Sequence, residues 1–339
     1  MHHRAMIGRR ACRPRHDGVI VAFILALLAT TTYAQPARPI AAIRRVVVVS
    51  IDGLRPDLLL FGQLPVLRGL LMHGSYTMWA RTVDEGYTVP SHVSMLTGVV
   101  PSRHGVTWDN HIEDAYPEVP TLFDLAHRAG YTTALAVGKT KLIVLTRPGS
   151  LDYSFVGHEG MVDALDVARE ANAFLRKPKV PDVLFVHFGD VDTAGHDHGW
   201  GSREQMAALE KADRALGMIL DTLRDARLLD STFVIVTSDH GGAALLHPPE
   251  DARSQFIPWI ASGPSVREHF DLSSVEGLRI DTMSTFATAC ALLGLQSPEK
   301  IASAPVLQLF RSGPAGDAGP SPGDPAPVEK RPAALQPIR

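Results

Sequence analysis

Residues 46–53, VVVVSIDG, decide how this chain is read. Four valines and an isoleucine make a short apolar, β-branched run without polar alternation, which is the pattern of a strand buried on both faces. The run ends at Asp52 and Gly53, so a carboxylate stands where the strand would finish. The arrangement recurs. Phe185-Val-His-Phe188 leads to Asp192 and His196 in GDVDTAGH, and Val234-Ile-Val-Thr237 leads to Asp239 and His240 in SDHGG. Open α/β sheets build their sites at the carboxyl ends of their strands.

Working outward, strands are expected at Val46–Ile51, Tyr131–Val137, Val183–Phe188, Phe233–Thr237 and Phe256–Ala261, with a short edge strand at Tyr76–Arg81. Helices are expected at Pro65–His73, Pro90–Thr97, Pro120–Ala129, Gly160–Arg176, Ser202–Arg227 and Asp281–Leu293, several of them opening on Pro or on a Ser or Asp cap. Strand and helix in alternation predict an α/β protein whose mainly parallel central sheet is sandwiched by helices.

Of the 339 residues, 45% are apolar and 20% charged, and the net charge is −3. This composition supports a large core and gives no basic excess that would point to nucleic acid. Five arginines, Arg4, Arg9, Arg10, Arg13 and Arg15, precede the apolar run Val19–Ala29 and then Thr32-Tyr33-Ala34. That reads as a signal peptide over residues 1–34, which makes the protein periplasmic or secreted. The apolar run is shorter than the roughly 20 residues of a membrane span, so membrane attachment is expected only if the segment stays uncleaved. The two cysteines, Cys12 and Cys290, leave the exported chain without a disulfide, and Cys290 falls in the helical run TFATACALLGL. Residues 312–339, rich in Pro, Gly and Ala, are expected to be a disordered tail, leaving one catalytic domain over residues 40–311. Nothing indicates an oligomeric state.

Aspartate and histidine suit zinc first, then manganese or iron, while the lack of cysteine ligands argues against structural zinc and iron–sulfur sites. Asp52 alone has another reading as a helix cap, and the other pairs alone could be loop polarity. Three such islands at three strand ends make a metal centre the stronger reading. A hydroxyl is supplied by Thr88 or Ser91 in GYTVPSH, where Pro90 would set a helix N-terminus that favours negative charge.

These pieces, SIDGLRPD, TVPSH with a downstream LTG, PSRHG, DTAGH and SDHGG, resemble in content and order the type I phosphodiesterase/nucleotide pyrophosphatase family of the alkaline phosphatase superfamily, over about Val46–Pro264. The resemblance implies an alkaline phosphatase-like fold and two divalent ions, zinc first among candidates. Asp52, Asp239, His240 and the Thr88 oxygen would hold one ion; Asp192, His196 and a later histidine would hold the other. His247 fits that later place, with His269 the alternative; it follows His240 more closely than in the pyrophosphatase branch. The TxPxH register selects Thr88 over Ser91 as nucleophile, which implies a covalent phosphothreonine intermediate. Asn110, in VTWDNH, would donate to a phosphoryl oxygen, although a turn-forming asparagine is its other reading. The loop holds no cysteine, so it cannot make a cysteine-derived formylglycine; a serine-derived one would need Ser91 in register, which leaves sulfate ester hydrolysis a minor reading. His92 and His104 are expected to be structural.

Two divalent ions against three carboxylates leave a net charge of about +1, near zero with a Thr88 alkoxide, which suits a monoanionic diester. No Arg or Lys lies between Asp84 and Val100, though Arg81 and Arg103 are near in sequence. The expected activity is therefore hydrolysis of a small-molecule phosphodiester. A phosphomonoesterase or phosphoryl transferase is the alternative, and a non-catalytic metal-binding protein a more distant one. Val89 stands where the family carries an aromatic, so Tyr87, Trp108 and Trp200 are left to supply aromatic surface.

Overall fold

A computed structural model describes residues 38–311 except positions 85 and 159. The expected signal peptide and C-terminal tail lie outside these residues. The strands are β1 (Arg45–Ile51), β2 (Ser75–Arg81), β3 (Thr133–Val137), β4 (Tyr153–Val156), β5 (Val183–Phe188), β6 (Thr232–Thr237), β7 (Phe256–Ser262) and β8 (Phe270–Asp271). The helices are α1 (Leu58–Phe61), α2 (Pro65–His73), α3 (Thr88–Thr97), α4 (Pro101–His104), α5 (Leu122–Arg128), α6 (Ala164–Leu175), α7 (Asp190–His198), α8 (Arg203–Asp225), α9 (Ala252–Gln255) and α10 (Ser284–Leu293).

The strands form one sheet in the order β4-β3-β5-β1-β6-β7-β2-β8. From β4 to β6 every pairing is parallel, while β7 runs antiparallel to both β6 and β2. The physical reason is the connection. Each parallel return needs a helical crossover, and the only helix between β6 and β7 is the four-residue α9. The expected edge strand at Tyr76–Arg81 is β2, with the two-residue β8 outside it.

Alternating residues of β1 serve opposite faces. Val46 and Val48 join the core beneath α3, α5 and α10, whereas Val47 and Val49 join the core beneath α2, α6 and α8. All seven residues of β1 are buried, as a strand covered on both sides requires. Cys290 is buried on α10, where burial pushes its thiol well above the ordinary range.

Helix α3 begins at Thr88, two residues before the expected Pro90, with Tyr87 as its N-cap and all ten residues buried. Proline is tolerated there because a first-turn residue has no intrahelical N–H bond to lose. Helix α7 was not expected. Its sequence DVDTAGHDH has no apolar stripe, yet it packs on α8 and carries Asp190 and Asp192 in its first turn, where the helix dipole favours them. No described helix is long and apolar enough to cross a membrane.

Candidate metal centre

Strands β5, β1 and β6 are neighbours, so the three polar islands, distant in sequence, meet at one end of the sheet. Asp52 follows β1 directly, and its N–H donates to Phe188 O at the end of β5 (3.0 Å). Gly53 N donates to Asp239 Oδ1 (3.2 Å), and Ser238 Oγ donates to Ile51 O (2.8 Å). Gly53 has φ +72°, and a Cβ there would lie 2.9 Å from Asp192 Cα, so only glycine brings the two turns this close.

Asp52, Asp239 and His240 offer ligand atoms within 4.8 Å of one another, and so do Asp192, His240 and His247. His196 joins the second set, with Nε2 3.3 Å from Asp192 Oδ1. Five buried atoms in these sets have no hydrogen-bond partner: Asp52 Oδ1, Asp192 Oδ1, Asp239 Oδ2, His240 Nε2 and His247 Nδ1. They face one another. His240 Nε2 lies 3.5 Å from Asp52 Oδ1, 3.9 Å from Asp192 Oδ1 and 3.2 Å from Asp239 Oδ2. Unpaired buried polar atoms are costly, and these are of the types that bind zinc. The residues fit a metal centre.

The histidines are oriented for it. His240 Nδ1 donates to Gly241 O and His196 Nδ1 donates to Leu245 O, both at 2.8 Å, which leaves each Nε2 as the acceptor. The ring of His247 stacks on that of His240 with centroids 3.9 Å apart. Burial and the neighbouring His240 push His247 down to about 4, so its imidazole is neutral.

Electrostatics separate the carboxylates. Burial acts to raise Asp52, but the Lys139 ammonium and the hydrogen bond from His187 outweigh it and hold the carboxyl well below its ordinary value. Asp192 is lowered in the same way, against burial, mainly by Lys139. Asp239 is raised by burial and by the negative Asp52. Three buried carboxylates against one ammonium leave the cluster formally negative, and, against burial, the same carboxylates raise His240.

Thr88 is buried at the first position of α3. His92 ties that turn to Asp239: its Nδ1 donates to Thr88 O (2.7 Å) and stands 3.5 Å from Asp239 Oδ2, while its Nε2 meets Ser50 Oγ (2.8 Å). Ser91 is turned elsewhere, its hydroxyl donating to Asp239 O. His104 is structural, bonded to Ser94 Oγ and accepting from Val106 N. Asn110 is exposed, and its amide meets only His111 O (3.4 Å). The residue beside it, Asp109, reaches the Thr88 turn: it accepts from Val89 N (2.8 Å) and pairs with Lys141 (2.8 Å).

Sequence reasoning missed Lys139, Lys141, Asp109 and His187. Lys139 also follows a strand, β3, and the rule that singled out Asp52 applies to it equally. Neither sequence-adjacent arginine serves the site: Arg81 is bonded to Gln255 and Arg103 to Glu299. Trp200 is packed rather than open, lying against Gly195 and Gly242 with Nε1 donating to Gly53 O (3.0 Å). Val89 is fully buried, whereas Tyr87 is 44% exposed with its ring edge on His247.

The type I phosphodiesterase / nucleotide pyrophosphatase family matches residues 46–251, and the chain belongs to that family. The ectonucleotide pyrophosphatase/phosphodiesterase family member 1 of Rattus norvegicus is 30% identical over 215 residues, covering 57% of this chain and 23% of that protein. The bis(5'-adenosyl)-triphosphatase enpp4 of Xenopus laevis is 23% identical over 238 residues, covering 65% of this chain and 52% of that protein. The chain thus spans at most about half the length of these relatives. Among solved structures, the murine ectonucleotide pyrophosphatase / phosphodiesterase 5, described as an inactive threonine-to-alanine form in complex with AMP, superposes with a TM-score of 0.65 at 16% identity, covering 79% of this chain and all of that one. The fold is alkaline phosphatase-like.

Proposed function

We propose that the protein is an exported two-metal hydrolase of phosphodiesters or nucleotide pyrophosphates, acting through Thr88. The observation that carries this reading is the convergence of five partnerless atoms of ligand type, one of which, Asp239 Oδ2, lies 3.5 Å from the His92 nitrogen that donates to Thr88 O. Asp52, Asp239 and His240 with the Thr88 oxygen would hold one ion, and Asp192, His196 and His247 the other, His240 lying near both sets. When bound, two divalent ions, zinc first, supply Lewis acidity toward the threonine hydroxyl and toward the phosphoryl oxygens.

The chain's own groups do the rest. The positive end of α3 would favour a bound phosphoryl group, and His92 holds the first turn, which carries Thr88. Thr88 Oγ1 forms a bond to phosphorus as the bond to the leaving oxygen, of an alcohol or a phosphate, breaks, the threonine proton being taken up by that leaving group; water then cleaves the phosphothreonine, releasing the phosphoryl product and restoring the hydroxyl. Asn110 remains a proposed donor to a phosphoryl oxygen, from an exposed position that substrate would have to order. Tyr87 offers the open aromatic surface for a leaving group.

The substrate is proposed to be a small phosphate ester, with the AMP held by the murine relative favouring a nucleotide. The location is proposed as periplasmic or secreted, with membrane attachment only through an uncleaved N-terminal segment and no nucleic-acid partner. One observation favours the alternative, a phosphomonoesterase or phosphoryl transferase: Lys139 adds a positive charge that suits a dianionic group. Comparing kcat/KM for a matched aryl diester and monoester decides between them. Thr88→Ala is expected to abolish hydrolysis while zinc stays near two per chain; full activity in that variant would refute the mechanism.

A further inference from the structure

Asp52, just after β1, and Asp192, in α7, each have their two oxygens divided between different tasks. Asp52 Oδ2 receives Lys139 Nζ (2.8 Å) and His187 Nε2 (2.8 Å), and Asp192 Oδ2 receives the same Lys139 Nζ (2.5 Å). The other oxygens, both Oδ1, have no partner and face His240 Nε2. One ammonium therefore joins a carboxylate of the first ligand set to a carboxylate of the second, from the side away from the convergent atoms.

The lysine is built in. Lys139 follows Gly138, whose N–H donates to His187 O (3.1 Å), and its backbone bridges to Met161. Its stem fills the space over Gly189, where a Cβ would lie 3.1 Å from both Lys139 Cγ and Met161 Sδ. Its side chain is 10% exposed, so solvent cannot replace the ammonium as the partner of two buried carboxylates.

We propose that Lys139 is a resident counter-ion of the metal centre, a positioning residue that lets the two ligand sets fold together before any metal arrives. Without it, Asp52 and Asp192 would be brought side by side by β1 and β5 with no cation between them. Removing one partner of a buried pair strongly destabilises a protein, because the other charge is left uncompensated. A bound divalent ion meets the same need, so the loss should be large in the metal-free protein and small in the loaded one.

The inference rests on the metal-centre reading, and the test separates the two. Melting of the full chain is followed in chelator and in zinc, for wild type and Lys139→Met. In chelator, Lys139→Met should melt lower by on the order of 10 °C. Zinc should raise the variant by clearly more than it raises the wild type. Equal zinc shifts would overturn the role of Lys139, while no zinc shift in the wild type would overturn the metal centre itself. Should Lys139→Met fail to fold in either condition, the same change is made in an Asp192→Asn background. There the lysine has one carboxylate fewer to offset, and its loss should cost markedly less; an undiminished cost would show that Lys139 acts by packing alone, and the proposal would fall.

Discussion

Gly242→Ala tests how the turns that carry Asp52, His196 and His240 are held together. A Cβ at this position would lie 2.1, 2.4 and 2.5 Å from Cε2, Cδ2 and Cζ2 of Trp200. These are ring atoms, and the ring is pinned by its bond to Gly53 O and by Gly195, whose own Cβ would lie 2.9 Å away. The backbone of Gly242 does not have a positive φ, so alanine meets no conformational penalty and the effect is steric. Overpacking of this kind costs about 1–3 kcal/mol, or about 2–12 °C in melting for a domain of this size. The displaced indole would also disturb Gly53 beside Asp52 and Gly195 beside His196, so zinc content should fall. The assay is melting in chelator together with metal analysis after zinc loading. Gly69→Ala is the control: nothing lies within 4 Å of its Cβ in the middle of α2, and better helix propensity should stabilise by about 0.5–1 kcal/mol. If Gly242→Ala melts with the wild type and keeps its zinc, Trp200 is not what joins these turns.

Burial lowers His104 to about 4, against an unfolded value of 6.5. The unfolded chain therefore binds more protons between these values, and this histidine's contribution to stability, full above pH 6.5, is lost as pH falls toward 4, by at most about 1.4 kcal/mol per pH unit. Urea unfolding in chelator at several pH values should show a shallower acid loss for His104→Gln than for wild type; identical slopes would refute it. Asp213, on α8, accepts from Val66 N (3.1 Å) and Leu67 N (2.7 Å) and so caps α2 from a neighbouring helix. Asp213→Ala should cost about 1–3 kcal/mol in urea unfolding by stranding a buried N–H, with Asp213→Asn costing less.

The parallel core was legible because β1, β5 and β6 are apolar runs with a polar residue at the end, a signal that needs no partner to be read. The direction of β7 was not, since a strand's orientation lies in the length and content of its connection. Helix α7 was hidden for a different reason: DVDTAGHDH has no apolar stripe to read, and the helix packs on α8. Asp52, Asp239 and His240 lie together, as do Asp192, His240 and His247 with His196 beside Asp192; strand ends pointed to all of these but His247, to which the family resemblance alone pointed. Lys139 escaped because cations were sought near Thr88 in sequence, while the topology delivers one from β3 across β5. Val89 and Tyr87 show the same limit, for which of two adjacent side chains faces solvent depends on where α3 begins.

The order β5-β1-β6 has a consequence for the history of each molecule. Ligands from positions 52, 192 and 239 become neighbours only when all three strands have paired, and such long-range contacts form late and slowly. No stretch of chain ending before His240 contains either ligand set. A bound ion would therefore report that β5, β1 and β6 have already found one another.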